Sequence, residues 1–232
     1  MKIMSFNTQH CLNFLEQKID YEIMAQAIKE VGADIVGLNE MFDGGENVKY
    51  GYQTKMLSEL TGLENYFFAK AIDDGDGPYG NGILSKYKFK SVEAIKIPDP
   101  NPRRFEGGYY ETRCLLKAEL ENGILVLITH FGLCADEQEN AVKTILENIR
   151  SEKCILMGDF NIEPDNELLN PIREKMKDTS LGFCENKKSF PSDNPRIKID
   201  YIFVSKDIEV VSADIADIIA SDHRPHIAEV NV

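Results

Sequence analysis

Residues 154–161 read Cys154-Ile155-Leu156-Met157-Gly158-Asp159-Phe160-Asn161. The apolar residues at the start predict a short strand that is buried on both faces, as in sheets covered by helices. The polar residues that follow lie beyond its carboxyl end, where ligands bind in open α/β folds. Taken alone, Asp159-Phe160-Asn161 is more typical of a turn. A functional interpretation therefore depends on what other strands bring to the same edge.

Short apolar runs alternate along the chain with stretches of helical period, which predicts an α/β fold. Strands are predicted at residues 2–6, 34–38, 82–85, 124–129, 154–157, 201–204 and 227–230. Helix faces are predicted from the spacing of Met24, Ala27, Ile28 and Val31, of Ala141, Ile145, Leu146 and Ile149, and of Leu168, Leu169, Ile172 and Met176. Gly32 is expected to end the first helix. Residues 73–82 and 98–108, rich in Gly, Pro and Asp, are expected to form surface loops near one end of the sheets.

Composition is that of a folded, water-soluble protein, because 43% of the 232 residues are apolar and 28% are charged. The chain shows no linker and no internal repeat, so a single domain over residues 1–232 is predicted. Its formal net charge of −13 disfavours nucleic acid and anionic lipid as partners. A bound divalent cation could still meet a phosphate and would explain some of the carboxylates.

The five cysteines are odd in number and far apart, which predicts reduced thiols in the cytosol. The chain start becomes polar after a few residues, and no stretch approaches the roughly 20 apolar residues of a membrane span. We therefore expect a cytoplasmic protein without membrane contact and without an obligate protein partner.

Polar residues also end several other predicted strands. Asn7 follows the first, Asn39-Glu40 the second and Thr129-His130 the fourth, while Ser221-Asp222-His223 precedes the last. An imidazole can take a proton from water when a carboxylate orients it, and carboxylates and amides hold hard cations through oxygen. Each residue alone has a simpler interpretation, such as a structural histidine for His130 or a surface carboxylate for Glu40. Together they are the residue types of metal-assisted phosphate ester hydrolysis.

Seven short motifs follow one another along the chain: Ser5-Phe6-Asn7, Leu38-Asn39-Glu40, Asn81-Gly82-Ile83-Leu84-Ser85, Thr129-His130, Gly158-Asp159-Phe160-Asn161, Ile199-Asp200-Tyr201-Ile202-Phe203 and Ser221-Asp222-His223-Arg224-Pro225. In this order they resemble the motifs of the endonuclease/exonuclease/phosphatase superfamily, and the match runs nearly end to end. The resemblance implies a four-layer α/β sandwich, in which two packed mixed β-sheets are flanked by helices, as in deoxyribonuclease I and exonuclease III.

The resemblance also implies a bound Mg²⁺ or Mn²⁺. Glu40 corresponds to the principal metal ligand, with Asn7 beside it and Asp222 contributing to the same cation or to a second one. Asn39 stands where the family commonly has Gln, a change that alters the reach of the amide but leaves the ligand Glu40 intact.

The remaining roles implied by the resemblance concern catalysis and substrate. His223 would be the general base or a phosphate-contacting imidazole, oriented by Asp200, and Asp159 would activate water or protonate the leaving oxygen. Asn161 and His130 would donate hydrogen bonds to phosphate oxygens. The substrate is also expected to contact Asn81 and Arg113. By the same resemblance, Arg113 would also orient a catalytic carboxylate.

The leading functional hypothesis is a divalent-metal-dependent phosphoric ester hydrolase, either a phosphodiesterase or a phosphatase, with a soluble substrate. A DNA endonuclease or exonuclease is the alternative, disfavoured by the net charge and by the absence of Trp. A non-catalytic phosphate-binding module is disfavoured, because binding alone would not need a water activator. A phospholipid hydrolase is also disfavoured, because it would need a secretion signal or an exposed apolar hairpin and neither is evident in the sequence. Substrate choice is expected to lie in the loops at 73–82 and 98–108.

Overall fold

The computed structural model describes residues 1–44 and 49–232. Its helices are α1 (Tyr21–Val31), α2 (Gln53–Thr61), α3 (Ala135–Asn148) and α4 (Asn170–Lys175). Its strands are β1 (Lys2–Asn7), β2 (Leu12–Asn13), β3 (Lys18–Ile19), β4 (Ile35–Phe42), β5 (Asn65–Asp74), β6 (Gly77–Ser85), β7 (Phe89–Lys96), β8 (Cys114–Leu120), β9 (Leu125–His130), β10 (Cys154–Asp159), β11 (Met176–Asp178), β12 (Asp200–Ser205), β13 (Glu209–Ile215) and β14 (His226–Asn231).

Both large sheets are mixed. The first has the order β13-β14-β1-β4-β6-β5, with β1 parallel to β4 and Asn7 opposite Asn39. The second has the order β11-β12-β10-β9-β8-β7, with β9 parallel to β10 and His130 opposite Asp159. The other pairs in these two sheets are antiparallel. Each sheet therefore has one parallel pair near its centre, and the carboxyl ends of that pair lie side by side.

The two sheets pack face to face through a continuous apolar layer. Ile3 and Ile35 of the first sheet share this layer with Val126 and Ile155 of the second. Helices α1 and α2 cover the outer face of the first sheet, and α3 and α4 cover that of the second. Because the central strands are buried on both faces, their sequences are apolar throughout instead of alternating. The four-layer α/β sandwich is confirmed.

Helix α1 begins and ends where its sequence indicates. Asp20 caps it, since its carboxylate accepts hydrogen bonds from the backbone N–H groups of Glu22 and Ile23. Gly32 ends it with a φ of 66°, a left-handed conformation that glycine adopts without steric cost. In the described part of the chain, no helix is long and apolar enough to cross a membrane.

Two predictions of local structure are wrong. Residues 73–82 are not a surface loop: they end β5 and form most of β6 in a hairpin. Gly80 allows β6 to lie close to β5, because a Cβ at this position would be 2.0 Å from the carbonyl oxygen of Ala69. The predicted helix with Leu168, Leu169, Ile172 and Met176 on one face is also shorter than expected, since α4 ends at Lys175 and Met176 begins β11. The segment 98–108 has no helix or strand, as expected.

The pairing of β10 with β9 requires a glycine at position 158. Gly158 has a φ of 148°, and a Cβ would lie 1.9 Å from the carbonyl oxygen of Thr129. We expect Gly158→Ala to lower the free energy of unfolding by about 2 to 4 kcal/mol, because neither backbone can move without breaking the ladder. Equilibrium urea unfolding measures this. Gly75→Ala is the matched control, since no atom of the residues that the structure describes lies within 4 Å of its added Cβ. Equal stability of the two variants would contradict the argument.

Candidate active site

Four polar side chains meet where the two sheets face each other. They lie at the carboxyl ends of strands β1, β4, β9 and β10, which supply Asn7, Glu40, His130 and Asp159. Parallel pairing places these ends together within each sheet, and the packing of the sheets brings the two pairs into contact. The sequence prediction of one site assembled from the whole chain is consistent with this placement.

Glu40 reaches the site through a bulge in β4. The register between β4 and β6 shifts between Leu38 and Met41, and Glu40 has a φ of 59°. A left-handed conformation costs a residue with a side chain about 1 kcal/mol or more, so the surrounding structure must enforce it. Bulges redirect side chains in this way next to functional sites. The carboxylate is 24% exposed and is therefore accessible from solvent.

Asn7 bridges two carboxylates. Its Nδ2 donates hydrogen bonds to Glu40 Oε1 and to Asp159 Oδ2, both at 3.0 Å, and its Oδ1 accepts from the backbone N–H of Gln9 at 3.0 Å. The amide thus presents its nitrogen, not its oxygen, to the carboxylates. Asn7 supports both acids in this orientation, and it would have to turn before its oxygen could bind a cation.

His223 is paired with Asp200. Its Nδ1 lies 2.9 Å from Asp200 Oδ2, and its Nε2 lies 3.7 Å from Asp159 Oδ2. Burial is the largest effect on its pKa and lowers it, but the charges of Asp200 and Asp159 together outweigh burial and raise the pKa of His223 above its ordinary value. The imidazolium form is therefore favoured near neutral pH.

The buried carboxylates are incompletely satisfied. Burial raises the pKa of Asp159, against the opposing charge of His223, and burial also raises the pKa of Glu40. Asp200 is fully buried, and among the described residues its Oδ1 has no hydrogen-bond partner. Such a group of acids is under electrostatic strain that a cation would relieve.

His130 has a different environment from His223. Its Nδ1 lies 3.0 Å from Arg113 Nη1, and its Nε2 lies 3.6 Å from Asp159 Oδ2. Burial and the charge of Arg113 hold the pKa of His130 well below its ordinary value. Arg113 thus contacts a histidine, and its charge also acts against the raised pKa of Glu40.

Asn39 joins the two sheets beneath the site. Its Nδ2 donates to Asn81 Oδ1 at 2.8 Å and to the carbonyl oxygen of Thr129 at 2.9 Å, and its Oδ1 accepts from the backbone N–H of Asp159 at 3.0 Å. Asn81 also donates to the carbonyl oxygen of Cys114 and is 2% exposed. The structure therefore places Asn81 behind Asn39. A direct contact between Asn81 and substrate would require this network to open.

Asp222 and Asn161 complete the set of predicted residues. Asp222 Oδ1 accepts a hydrogen bond from Ser221 Oγ at 3.0 Å, and the Asp222 charge contributes to the raised pKa of Glu40. Asn161 has a φ of 50°, its backbone N–H donates to Asp159 Oδ1 at 2.9 Å, and its Nδ2 donates to the carbonyl oxygen of Phe131 at 3.0 Å. Both residues are partly exposed.

The sequence did not indicate Glu111 as part of this arrangement. Its Oε1 lies 2.5 Å from Arg113 Nη1, and both side chains are largely buried. The available signal was the Glu-x-Arg spacing, because alternate residues of an extended segment share a face. Cavities of about 850 and 430 Å³ are lined by none of the predicted site residues, whereas Glu111 and Arg113 line a small cavity of about 10 Å³.

Two donor sets could hold a cation. Asp159, Asp200 and His223 present ligand atoms within 4.8 Å of one another, but a cation bound to all three would displace the hydrogen bond between His223 and Asp200. Glu40 is more accessible, and it has neighbouring carboxylates in Asp159 and Asp222. Oxygen ligands of this kind suit Mg²⁺ or Mn²⁺, so the residues present fit a hard divalent cation near Glu40.

Solved structures of known proteins share the fold. A structure from Beutenbergia cavernae DSM 12333, described as an endonuclease/exonuclease/phosphatase, has a TM-score of 0.79 and 20% identity, over 100% of this chain and 71% of that one. A mannosyl-6-phosphatase from Bacteroides thetaiotaomicron VPI-5482 has a TM-score of 0.78 and 16% identity, over all of both chains. The human Nocturnin catalytic domain has a TM-score of 0.72 and 18% identity, over 100% of this chain and 94% of that one.

No curated protein matches this chain by sequence. A family model does: the one described as Endonuclease/Exonuclease/phosphatase family matches residues 4–112 and 135–223. These segments span most of the chain and contain Asn7, Glu40, Asp159 and His223. The protein is a member of the endonuclease/exonuclease/phosphatase family.

Proposed function

We propose that the protein is a divalent-metal-dependent phosphoric ester hydrolase, a phosphodiesterase or phosphatase that acts on a soluble phosphate ester. The observation that carries this proposal is the convergence of Glu40, Asp159 and Asp200 with two histidines whose pKa values are shifted in opposite directions. Titratable groups with divergent environments are typical of acid–base sites. Family membership limits the chemistry to phosphate esters.

Glu40 and Asp222 would hold Mg²⁺ or Mn²⁺, and Asn7 would join them if its amide turned. The cation, when bound, neutralises negative charge on the phosphate. Burial and the charge of Asp222 raise the pKa of Glu40, and a cation bound there would stabilise its ionised form. The bulge that exposes Glu40 supports the same assignment.

Asp159 accepts the proton of the attacking water, the bond between phosphorus and the ester oxygen breaks, and the leaving oxygen takes a proton from solvent. Its raised pKa makes it a stronger base than an ordinary carboxylate, and hydrogen bonds from Asn7 and from the Asn161 backbone fix its orientation. His223 remains protonated and donates a hydrogen bond to a phosphate oxygen through Nε2, while Asp200 holds Nδ1. Of the two roles that the sequence left open for His223, the phosphate contact is therefore the one we propose.

His130 and Asn161 lie on opposite sides of Asp159 in the chain and beside it in the structure. In this proposal, His130 Nε2 and the second hydrogen of Asn161 Nδ2, whose first bonds to the Phe131 carbonyl, would donate to phosphate oxygens, where donors stabilise charge that grows on the phosphate. A neutral histidine does this without the cost of burying a further charge.

The proposal is tested by release of product from a panel of small esters. The panel contains sugar phosphates, nucleotides, other phosphomonoesters, phosphodiesters and abasic DNA, each with Mg²⁺, with Mn²⁺ and with chelator. A sugar phosphate belongs in it because the mannosyl-6-phosphatase has a similar fold. We expect turnover of at least one small ester with cation and none with chelator, because charge on the phosphate is otherwise not neutralised.

Asp159→Asn is the inactive control for this panel. It keeps the shape of the side chain and removes the proposed base, so any turnover that survives it belongs to a contaminant. Cleavage restricted to DNA would replace the proposal by the nuclease alternative. Turnover that is unaffected by chelator would contradict metal dependence.

A further inference from the structure

Arg113 lies directly behind His130, away from the space in front of the carboxylates. Its Nη1 is 3.0 Å from His130 Nδ1, and the Arg113 residue is 9% exposed. On its other side the same Nη1 is 2.5 Å from Glu111 Oε1. The guanidinium is therefore held between an acid and an imidazole, where a phosphate reaches it only if His130 moves.

This contact determines which nitrogen of His130 carries the proton. A guanidinium has donors only, so His130 Nδ1 must accept and the ring proton must be on Nε2. Nε2 lies 3.6 Å from Asp159 Oδ2 and 4.0 Å from Glu40 Oε1. The N–H bond of His130 thus faces the two carboxylates that flank the proposed reaction centre.

The segment that carries Arg113 is anchored to the start of α3. Glu137 Oε1 accepts from the backbone N–H of Glu111 at 3.0 Å, and Glu137 Oε2 accepts from the backbone N–H of Cys134 at 3.2 Å. Tyr109 adds a hydrogen bond to Glu111 Oε2 at 3.0 Å. Glu111 is therefore fixed by contacts through its backbone and its carboxylate, so it can fix Arg113 in turn.

We propose that Glu111 and Arg113 are positioning residues, which hold His130 as the Nε2–H tautomer with its N–H directed into the site. This inference rests on the proposed function for its kinetic consequence, but the tautomer itself exists without substrate. It also changes the role of Arg113 from substrate contact to support of a residue that contacts substrate.

A purely structural ion pair between Glu111 and Arg113 would give other results. In that case the tautomer of His130 would be set elsewhere, and loss of Arg113 would change stability alone. The two explanations differ in the ¹⁵N spectrum of His130 and in the division of an activity loss between kcat and KM.

The experiment uses the full chain labelled with ¹⁵N and long-range ¹H–¹⁵N correlation, with the His130 signals assigned from His130→Gln. The variants are Arg113→Met, Arg113→Lys and Glu111→Gln. Lys117→Met is the matched control, because it removes a cation from the same region of β8 whose partners are Glu93 and Asn148. Arg113→Lys and Glu111→Gln remain informative if Arg113→Met fails to fold, since each leaves a donor or an acceptor in place.

We expect the wild type and Lys117→Met to show the Nε2–H tautomer alone. Arg113→Met should show a mixture of tautomers, with Arg113→Lys partly restored and Glu111→Gln intermediate. On any ester that the wild type hydrolyses, kcat of Arg113→Met should fall about 10- to 100-fold with little change in KM, as for other partners that orient site residues.

A wild-type His130 that carries its proton on Nδ1 would overturn the proposal, as would an Nε2–H tautomer that persists in folded Arg113→Met. Altered tautomers with unchanged kcat would overturn the positioning role. If the wild type hydrolysed no ester, the proposed function would fail, yet the spectra would still decide the tautomer and its dependence on Arg113.

Discussion

His223→Ala is expected to lower kcat by about 10³- to 10⁴-fold on any ester that the wild type hydrolyses. Two histidines lie beside Asp159: His130 Nε2 is 3.6 Å and His223 Nε2 is 3.7 Å from Asp159 Oδ2. Of these two rings, His223 is the one that we expect to be positively charged. Its removal takes away a charged donor to the phosphate and the charge that opposes protonation of Asp159. Steady-state kinetics at saturating cation measure the loss.

The same substitution should also reduce stability, which the sequence did not suggest. Asp200 is fully buried, and His223 is its hydrogen-bonding partner, so an unpaired buried carboxylate would remain. Breaking such a pair costs about 3 to 5 kcal/mol. Because the pKa of His223 is raised on folding, its contribution is complete below its unfolded value near 6.5 and is lost as pH rises through the folded value. Urea unfolding at several pH values should show the difference from wild type shrinking toward high pH.

Arg224→Met is the control for His223→Ala. Arg224 is the next residue in sequence and carries a positive charge, but its side chain donates to the carbonyl oxygen of Ser192 and pairs with Asp217. We expect its kcat to stay near that of the wild type. A His223→Ala protein that is folded and retains wild-type turnover would refute the proposed site.

Glu40→Gln is expected to lower kcat/KM by about 10²- to 10⁴-fold, because a cation on the phosphate supplies several kcal/mol of transition-state stabilisation. Glutamine has the shape of glutamate and can still accept from Asn7, so the bulge of β4 should be preserved. The loss should appear with Mg²⁺ and with Mn²⁺, and a higher cation concentration should recover part of it.

Thermal unfolding provides a test of Glu40 that needs no substrate. In the metal-free protein the raised pKa of Glu40 means that its ionised form destabilises the fold, so Glu40→Gln should raise the midpoint. Added Mg²⁺ should raise the midpoint of the wild type, since a ligand that binds only the folded state stabilises it, and should have little effect on the variant. Glu30→Gln, at an exposed position of α1, is the control. A variant that responds to Mg²⁺ as the wild type does would exclude Glu40 as the principal ligand.

Strands with continuous apolar sequence were predictable, and segments with mixed sequence were not. The predictions for residues 2–6, 154–157 and 201–204 fall inside β1, β10 and β12. The strand β7, Phe89–Lys96, has a mixed sequence, with three charged residues among eight, and is mostly exposed, so its pairing with β8 is what makes it a strand. The error at residues 73–82 has the same origin, because glycine in a strand reflects the closeness of a neighbouring strand, which sequence does not show.

Sequence by itself determined the family and the residue types of the site. The order of the motifs is linear information, and so is the alternation of apolar strands with helices. It also placed Asn7, Glu40, His130 and Asp159 at strand ends, because a strand ends where its apolar run ends.

Tertiary structure alone decided what each of these side chains contacts. Asn39 bonds to Asp159 across 120 positions of sequence, and Asn7 bonds to the same residue across 152. Both histidines are buried, but their pKa values shift in opposite directions because different groups contact Nδ1. This partner is the Arg113 guanidinium for His130 and the Asp200 carboxylate for His223. Protonation and orientation depend on burial and on charges within a few ångströms, and those are set only when the two sheets pack.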